Sequence, residues 1–169
     1  PLTVRRALVV GSCLAQEWAG EIGCPSDFIL INNLSGLPER PPLPANAYDL
    51  QLVQLPLRGA FFDGLVWQLP YGDVAAHERA FEVAVTRLRG ALELSLAWNL
   101  RFGLTTFVTN FIVPQQNPMG RLLPRYDLRN PVYFVERLNA VLEAELAAYD
   151  DVHLLDIDAI AAVCGRRFL

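Results

Sequence analysis

Ser12 is the first residue whose type and position suggest chemistry. It follows a short apolar run and a glycine, in the order Ala7-Leu8-Val9-Val10-Gly11-Ser12. The run suits a strand that is buried on both faces of a parallel sheet, and Gly11 permits a sharp turn into the next helix. Open α/β sheets bind ligands where their strands end, so the Ser12 hydroxyl is placed for nucleophilic attack. An ordinary helix with Ser12 as its N-cap has the same pattern, and both interpretations stay open.

Asn110 is the second candidate, near the end of the β-branched run 105–113. A side-chain amide at a strand exit can donate a hydrogen bond to the oxyanion that forms when a serine attacks an acyl carbon. Such a donor contributes roughly 3 to 4 kcal/mol to the transition state. Asn117 is the alternative donor.

A nucleophilic serine also needs a base that takes its proton. The chain has two histidines, His77 at the start of a long helical pattern and His153 within a strand-like segment. His153 is the fallback candidate for this base. A histidine that simply packs on or covers a strand is the ordinary alternative.

Composition excludes several classes of function. The 169 residues are 53% hydrophobic, enough for one domain with a sizeable core, and the net charge of −4 argues against a nucleic-acid partner. All basic residues are arginine, which excludes Schiff-base lysines and P-loop phosphate sites. Cys13, Cys24 and Cys164 are too scattered for a disulfide framework or a zinc site and suggest a reducing, cytoplasmic setting. No apolar run reaches the roughly 20 residues of a membrane span.

Strand-like and helical segments alternate along the chain and predict the fold. We expect a single domain over residues 1–169, built as a three-layer α/β/α sandwich with a flavodoxin-like parallel five-stranded sheet in the order 2-1-3-4-5. The predicted strands are 7–10, 27–31, 48–55, 105–113 and 152–157. The predicted helices are 16–22, 73–102, 132–148 and 159–163.

Two further stretches have a plain and a functional interpretation. The aromatic insertion from Phe61 to Tyr71 either walls a substrate pocket or packs into the core. The Asp156-Ile157-Asp158 stretch follows a strand, as in phosphatases of the HAD type, but the chain has no lysine to complete such a site. We therefore interpret Asp158 as the N-cap of the last helix.

The block Gly11-Ser12-Cys13-Leu14-Ala15 resembles the first block of the SGNH/GDSL-type hydrolase superfamily, especially its Gly-Ser-Cys-Phe-Ala branch. Ser35-Gly36 and Asn110 lie where that family has its second and third blocks, and an ordinary loop is the alternative interpretation of Ser35-Gly36. The order of the later blocks is similar to the SGNH-like N-terminal domain of HAD-type phosphatases that load glyceryl units in polyketide pathways. Two family features are missing, a Gly-x-Asn-Asp motif around Asn110 and an Asp-x-x-His motif after the fifth strand.

The resemblance implies a serine hydrolase or acyltransferase acting on an ester or thioester. Ser12 would be the nucleophile, and the oxyanion donors would be the Ser12 amide, the Gly36 amide and the Asn110 side chain. His153 is then the fallback base, unless the chain is a fragment whose C-terminal block lies beyond Leu169. No metal or organic cofactor is implied.

The alternative is a non-catalytic accessory domain that binds an acyl carrier protein or a neighbouring catalytic domain. A flavodoxin-like nucleotide binder ranks last, because the loop after the first strand lacks Gly-x-Gly-x-x-Gly.

Overall fold

The apolar run before Ser12 forms an inner strand of a parallel sheet. The computed structural model describes residues 3–31, 37–61, 68–115, 120 and 122–165. Five parallel strands pair in the order β2-β1-β3-β4-β5, as predicted. Their bounds are β1 Ala7–Gly11, β2 Ser26–Leu30, β3 Leu50–Val53, β4 Thr106–Thr109 and β5 Val152–Leu155.

Helices connect the strands and cover both faces of the sheet. Within the described residues they are α1 Cys13–Glu21, α2 Leu57–Ala60, α3 Val74–Ser95, α4 Ala97–Phe102, α5 Pro131–Leu146 and α6 Ile157–Cys164, with a 3₁₀ turn at Ala45–Ala47. Helix α1 packs on β1 and β2, whereas α5 packs on α3 and β5. The result is the three-layer α/β architecture that the alternating pattern predicts.

The core is unequal on the two faces because alternate strand residues point in opposite directions. Leu8 and Val10 of β1 face the larger cluster, which includes the fully buried Leu88 of α3 and Leu138 of α5. Val9 faces a smaller cluster that α1 completes. Each fully buried leucine contributes about 1.5 to 3 kcal/mol, so the α3–α5 face holds most of the core.

Several predicted elements are shorter than expected, and two of them have a clear structural reason. The helix predicted over 73–102 divides at Leu96, where the backbone leaves helical geometry. In the second part, α4, Trp98 is buried and its Nε1 donates to the carbonyl of Pro38 at 3.1 Å. The strand predicted over 105–113 ends at Thr109, because the backbone N–H and C=O of Phe111 bond to the side chain of Asn139 instead of a neighbouring strand.

Helix α3, with 22 residues, is the longest of the described helices. None of those formed by the described residues is both long and apolar enough to cross a bilayer.

Candidate active site at the carboxyl edge of the sheet

Ser12 lies between β1 and α1, half-buried at the carboxyl edge of the sheet. Its backbone carbonyl begins α1 by accepting from the N–H of Ala15 at 2.9 Å. Its hydroxyl makes no capping bond to the helix. The hydroxyl donates instead to the side-chain oxygen Oε1 of Gln54, at 2.8 Å. Ser12 therefore occupies the N-cap position without using its side chain as a cap.

Gln54 is the residue that sequence reasoning missed. It follows β3, and its Oε1 atom accepts from the Ser12 backbone N–H at 3.0 Å as well as from the hydroxyl. The sequence did contain a signal, since glutamines in a strand suit a carboxyl end that approaches a site. An edge strand accounts for the same glutamines, but β3 lies between β1 and β4. An edge position therefore does not account for these glutamines.

Gly11 allows the close approach of β1 to the end of β3. A Cβ atom at position 11 would lie 2.7 Å from the Cβ of Ala15 and 3.0 Å from both the Cβ and the backbone oxygen of Gln54. The backbone N–H of Gln54 donates to the carbonyl of Val10 at 2.8 Å and continues the parallel ladder. The missing side chain at Gly11 thus lets Gln54 reach Ser12.

Asn110 follows β4 at the same edge and is 7% exposed. Its Nδ2 donates to Oδ1 of Asp156 at 2.6 Å, and its Oδ1 accepts from the backbone N–H of Asp158 at 3.1 Å. The strand register places Asn110 in the row of Ser12, two strands away, or about 10 Å between Cα atoms. The amide thus holds the start of α6, and within the described part of the chain one of its two N–H groups has an acceptor, Asp156.

The start of α6 corrects the predicted cap. The helix begins at Ile157, and its N-cap is Asp156, whose Oδ1 accepts from the N–H of Ala159 at 2.9 Å. Asp158 lies inside the first turn and accepts from the backbone N–H of Val113 at 2.8 Å. Both carboxylates therefore tie α6 to the segment after β4. The prediction of Asp158 as the cap was wrong because either aspartate satisfies the N-cap preference.

His153 does not reach Ser12. Its ring packs 5.3 Å from that of Phe107, between ring centroids, and its Nε2 lies 3.1 Å from Oδ1 of Asp151. By register it lies level with Phe107, which is level with Leu52 in β3. Three strand spacings and three residues along the strand separate it from Ser12, about 17 Å. The geometry does not support His153 as the base, because it sits on the outer strand β5.

His77 also makes no contact with Ser12. It is 8% exposed in the first turn of α3, and its Nδ1 lies 2.9 Å from the carbonyl oxygen of Asp73. Because a carbonyl only accepts, Nδ1 carries the proton. The ring lines a cleft of about 330 Å³ together with Tyr126 and Arg137. Neither histidine therefore serves Ser12 in this arrangement.

Three sequence predictions fall wholly or partly outside the described residues. Ser35, Gly36 and Asn117 belong to those that the structure does not describe, as do residues 62–67 of the aromatic insertion. At its described end, Phe61 packs against Phe134 with a ring-centroid separation of 4.3 Å. That end of the insertion contributes to the core.

Two groups at the opposite, amino-terminal edge of the sheet, Asp49 and Tyr48, have clearly shifted pKa values. Hydrogen bonds from the side chain and backbone of Arg5 lower the pKa of Asp49 to about 2. Burial, followed by the hydrogen bond to Asp27, raises the pKa of Tyr48 to about 12. These groups clamp the strand starts and lie away from Ser12. They stabilise the fold and do not belong to the candidate site.

Metal chemistry finds no support in the described part of the chain, where no three His, Cys, Asp or Glu side chains converge to hold an ion. A shallow groove of about 290 Å³ beside Asn110 is lined by Glu136, Glu143, Asp156 and Asp158. This groove is acidic and would disfavour an anionic ligand.

Comparison with known proteins leaves the family open. No protein-family model matches this chain, and no curated protein matches it in sequence.

Proposed function

We propose that the chain is an SGNH-type domain that transfers or hydrolyses an acyl group through Ser12. The observation that carries the proposal is the direction of the Ser12 hydroxyl, which leaves the helix uncapped and points along the carboxyl edge to Gln54. A serine kept only as a helix cap would use its oxygen for the cap. The resemblance of the Gly11-Ser12-Cys13 block to the SGNH superfamily supports the same role.

The chemical step forms one bond and breaks another. Oγ of Ser12 attacks the carbonyl carbon of an ester or thioester, and the alcohol or thiol leaves with the proton that the serine gives up. Water or an acceptor hydroxyl then releases the acyl group. The Ser12 N–H and the remaining N–H of Asn110 are the proposed donors to the oxyanion, together with the Gly36 amide that the resemblance implies.

The substrate and setting complete the proposal. An acyl carrier protein is the proposed source of the acyl group, on the strength of the resemblance. A cytoplasmic location accords with Cys13, Cys24 and Cys164, which are all free thiols.

A second candidate function is a non-catalytic domain that binds a carrier protein or a neighbouring catalytic domain. The specific observation in its favour is that the Ser12 hydroxyl donates to an amide oxygen, which is not a general base, while neither histidine contacts it. A stable acyl group on Ser12 after exposure to an activated ester would exclude this alternative.

The test is turnover of p-nitrophenyl acetate by the wild type, Ser12→Ala and Ser26→Ala. Ser26 is a matched control, because its hydroxyl donates to the carbonyl of Ala19 at the opposite edge of the sheet. We expect Ser12→Ala to fall to the uncatalysed rate and Ser26→Ala to retain activity. Equal turnover in Ser12→Ala and the wild type would overturn the proposed function.

A further inference from the structure

We propose that Gln54 is a built-in occupant of the Ser12 site, which an incoming acyl group must displace. This inference rests on the proposed function and adds a residue to it. In the resting protein the side-chain carbonyl of Gln54 takes the place of the substrate carbonyl.

The position of Oε1 carries the argument. It accepts from the Ser12 N–H at 3.0 Å and from the Ser12 hydroxyl at 2.8 Å. The first of these groups is the donor that an acyl oxygen needs when the serine attacks. In the resting protein, the Ser12 N–H therefore already donates to the side-chain carbonyl of Gln54. This carbonyl also holds the hydroxyl proton on an oxygen that is a poor base, so the resting serine is unreactive.

The remaining contacts of Gln54 allow the side chain to leave. Its backbone stays fixed, since the N–H donates to the carbonyl of Val10 at 2.8 Å. Among the described residues, its Nε2 makes one long contact, 3.4 Å to the carbonyl of Leu55. The residue is half-buried, so the amide can turn toward solvent without moving β3. When Gln54 is displaced, its two hydrogen bonds with Ser12 are replaced. Ser12 then bonds to the substrate, and the Gln54 amide bonds to water.

The sequence around Ser12 fits this arrangement. Gly11 provides the space that brings Gln54 against Ser12. A Cβ atom added at position 11 would collide with the Cβ and backbone oxygen of Gln54. These contacts involve only the Cβ and backbone oxygen of Gln54, so Gly11 sets the distance between the two backbones. At that distance the Oε1 atom of Gln54 meets both the N–H and the hydroxyl of Ser12.

The experiment measures how fast diisopropyl fluorophosphate labels Ser12 in the wild type, Gln54→Met and Gln54→Ala. In the labelling step Oγ bonds to phosphorus, fluoride leaves, and the serine proton goes to solvent. Both variants lack the occupying carbonyl oxygen, and methionine nearly keeps the volume of glutamine. Two hydrogen bonds of ordinary net strength correspond to labelling that is about tenfold faster. Intact-mass spectrometry over time gives the rate.

Two controls separate release of Ser12 from general loosening. Gln16→Met makes the same replacement on the exposed side of α1 and should label at the wild-type rate. Alkylation of Cys13 by iodoacetamide reports on the start of α1, since Cys13 is exposed and adjacent to Ser12. We expect its rate to stay unchanged in the Gln54 variants.

The outcomes are distinct. Faster Ser12 labelling with unchanged Cys13 alkylation supports Gln54 as the occupant, including the case in which only the variants label. If the wild type is labelled and both variants are labelled at the same rate or more slowly, this inference is overturned and the proposed function stands. Faster labelling accompanied by faster Cys13 alkylation also overturns it. Absence of a Ser12 adduct in every folded protein overturns the proposed function as well.

Discussion

At the scale of single residues, the candidate site depends on where one oxygen atom points. The Ser12 hydroxyl meets Gln54 and not the first turn of α1, although the residue stands at the N-cap position. The position of Ser12 at the start of a helix is therefore compatible with its proposed role as a nucleophile. The backbone carbonyl begins the helix while the side chain remains available at the sheet edge.

Gly11→Ala should destabilise the protein by about 2 kcal/mol, because the added methyl group meets Ala15 and Gln54 at 2.7 to 3.0 Å. Urea unfolding measures the change. Gly90→Ala is the control, since a Cβ there meets nothing within 4 Å and lies in the interior of α3. It should stabilise the fold by about 1 kcal/mol through helix propensity. Equal effects of the two substitutions would contradict the close approach at Gly11.

Asn110→Ala should lower the free energy of unfolding by about 2 kcal/mol, because two hydrogen bonds to the start of α6 are lost and a buried space is left. Chemical denaturation checks this, with Asn46→Ala as the exposed control, for which we expect a change within about 0.5 kcal/mol. A neutral Asn110→Ala would show that the amide is not structural.

At the scale of elements, the segment after β4 is held between two helices. Asn139 of α5 pairs with both backbone groups of Phe111, at 2.9 and 2.8 Å. Asp158 of α6 accepts from the N–H of Val113 at 2.8 Å. These contacts end the strand and fix the position of Asn110 at the edge. The site therefore depends on residues that never approach Ser12.

Asn139→Ala should destabilise the fold by about 2 kcal/mol, since the N–H and C=O of Phe111 both lose their partner. Thermal and urea unfolding measure this against Glu143→Ala, one turn further along α5 and exposed. The control should change the free energy of unfolding by no more than about 0.5 kcal/mol. If Asn139→Ala behaves like the control, the side chain does not anchor the segment.

At the scale of the whole molecule, two sets of polar groups divide between the two edges of the sheet. At the amino edge, Arg5 and Asp49 form an ion pair although they are 44 positions apart in the chain. The Arg5 Nε donates to Oδ1 of Asp49 at 3.1 Å. Ser12, Gln54 and Asn110 lie at the carboxyl edge. Stability and the proposed chemistry can therefore be tested separately.

Asp49→Asn should remove an acid-sensitive part of the stability. The folded-state pKa of Asp49 is about 2, below its ordinary value of 3.8. The carboxylate therefore stabilises the fold above pH 4, and this contribution disappears as the pH falls from about 4 to 2. Melting temperatures of wild type and Asp49→Asn should differ above pH 4 and converge near pH 2.

The control for this pH dependence is Asp150→Asn, at an exposed position that forms no ion pair with the described residues. It should follow the wild-type curve. A difference between wild type and Asp49→Asn that persists unchanged at pH 2 would contradict the assigned ion pair.

The sheet order was predictable from the sequence because apolar strands alternate with amphipathic helices, and parallel crossovers are right-handed. Element ends were less predictable. The segment 110–113 is as β-branched and apolar as a strand, but Asn139, 28 residues after Phe111 in the chain, takes the backbone groups of Phe111. Only the folded arrangement of α5 determines where β4 ends.

The candidate site was predictable in part for a similar reason. Ser12 and Asn110 each follow a strand, and the carboxyl ends of parallel strands meet at one edge of a sheet. Gln54 was missed, because its contact with Ser12 joins residues 42 positions apart and no local pattern shows it. His153 illustrates the reverse case, since residue type alone suggested a base that the strand order places far from Ser12.

The most direct test of Ser12 as a nucleophile is mapping of a fluorophosphonate adduct on the wild-type protein by digestion and mass spectrometry. The account predicts a single adduct, on the peptide that contains Ser12, and none in Ser12→Ala. Absence of a Ser12 adduct in the folded wild type and in both folded Gln54 variants, or an adduct at another serine, would contradict it.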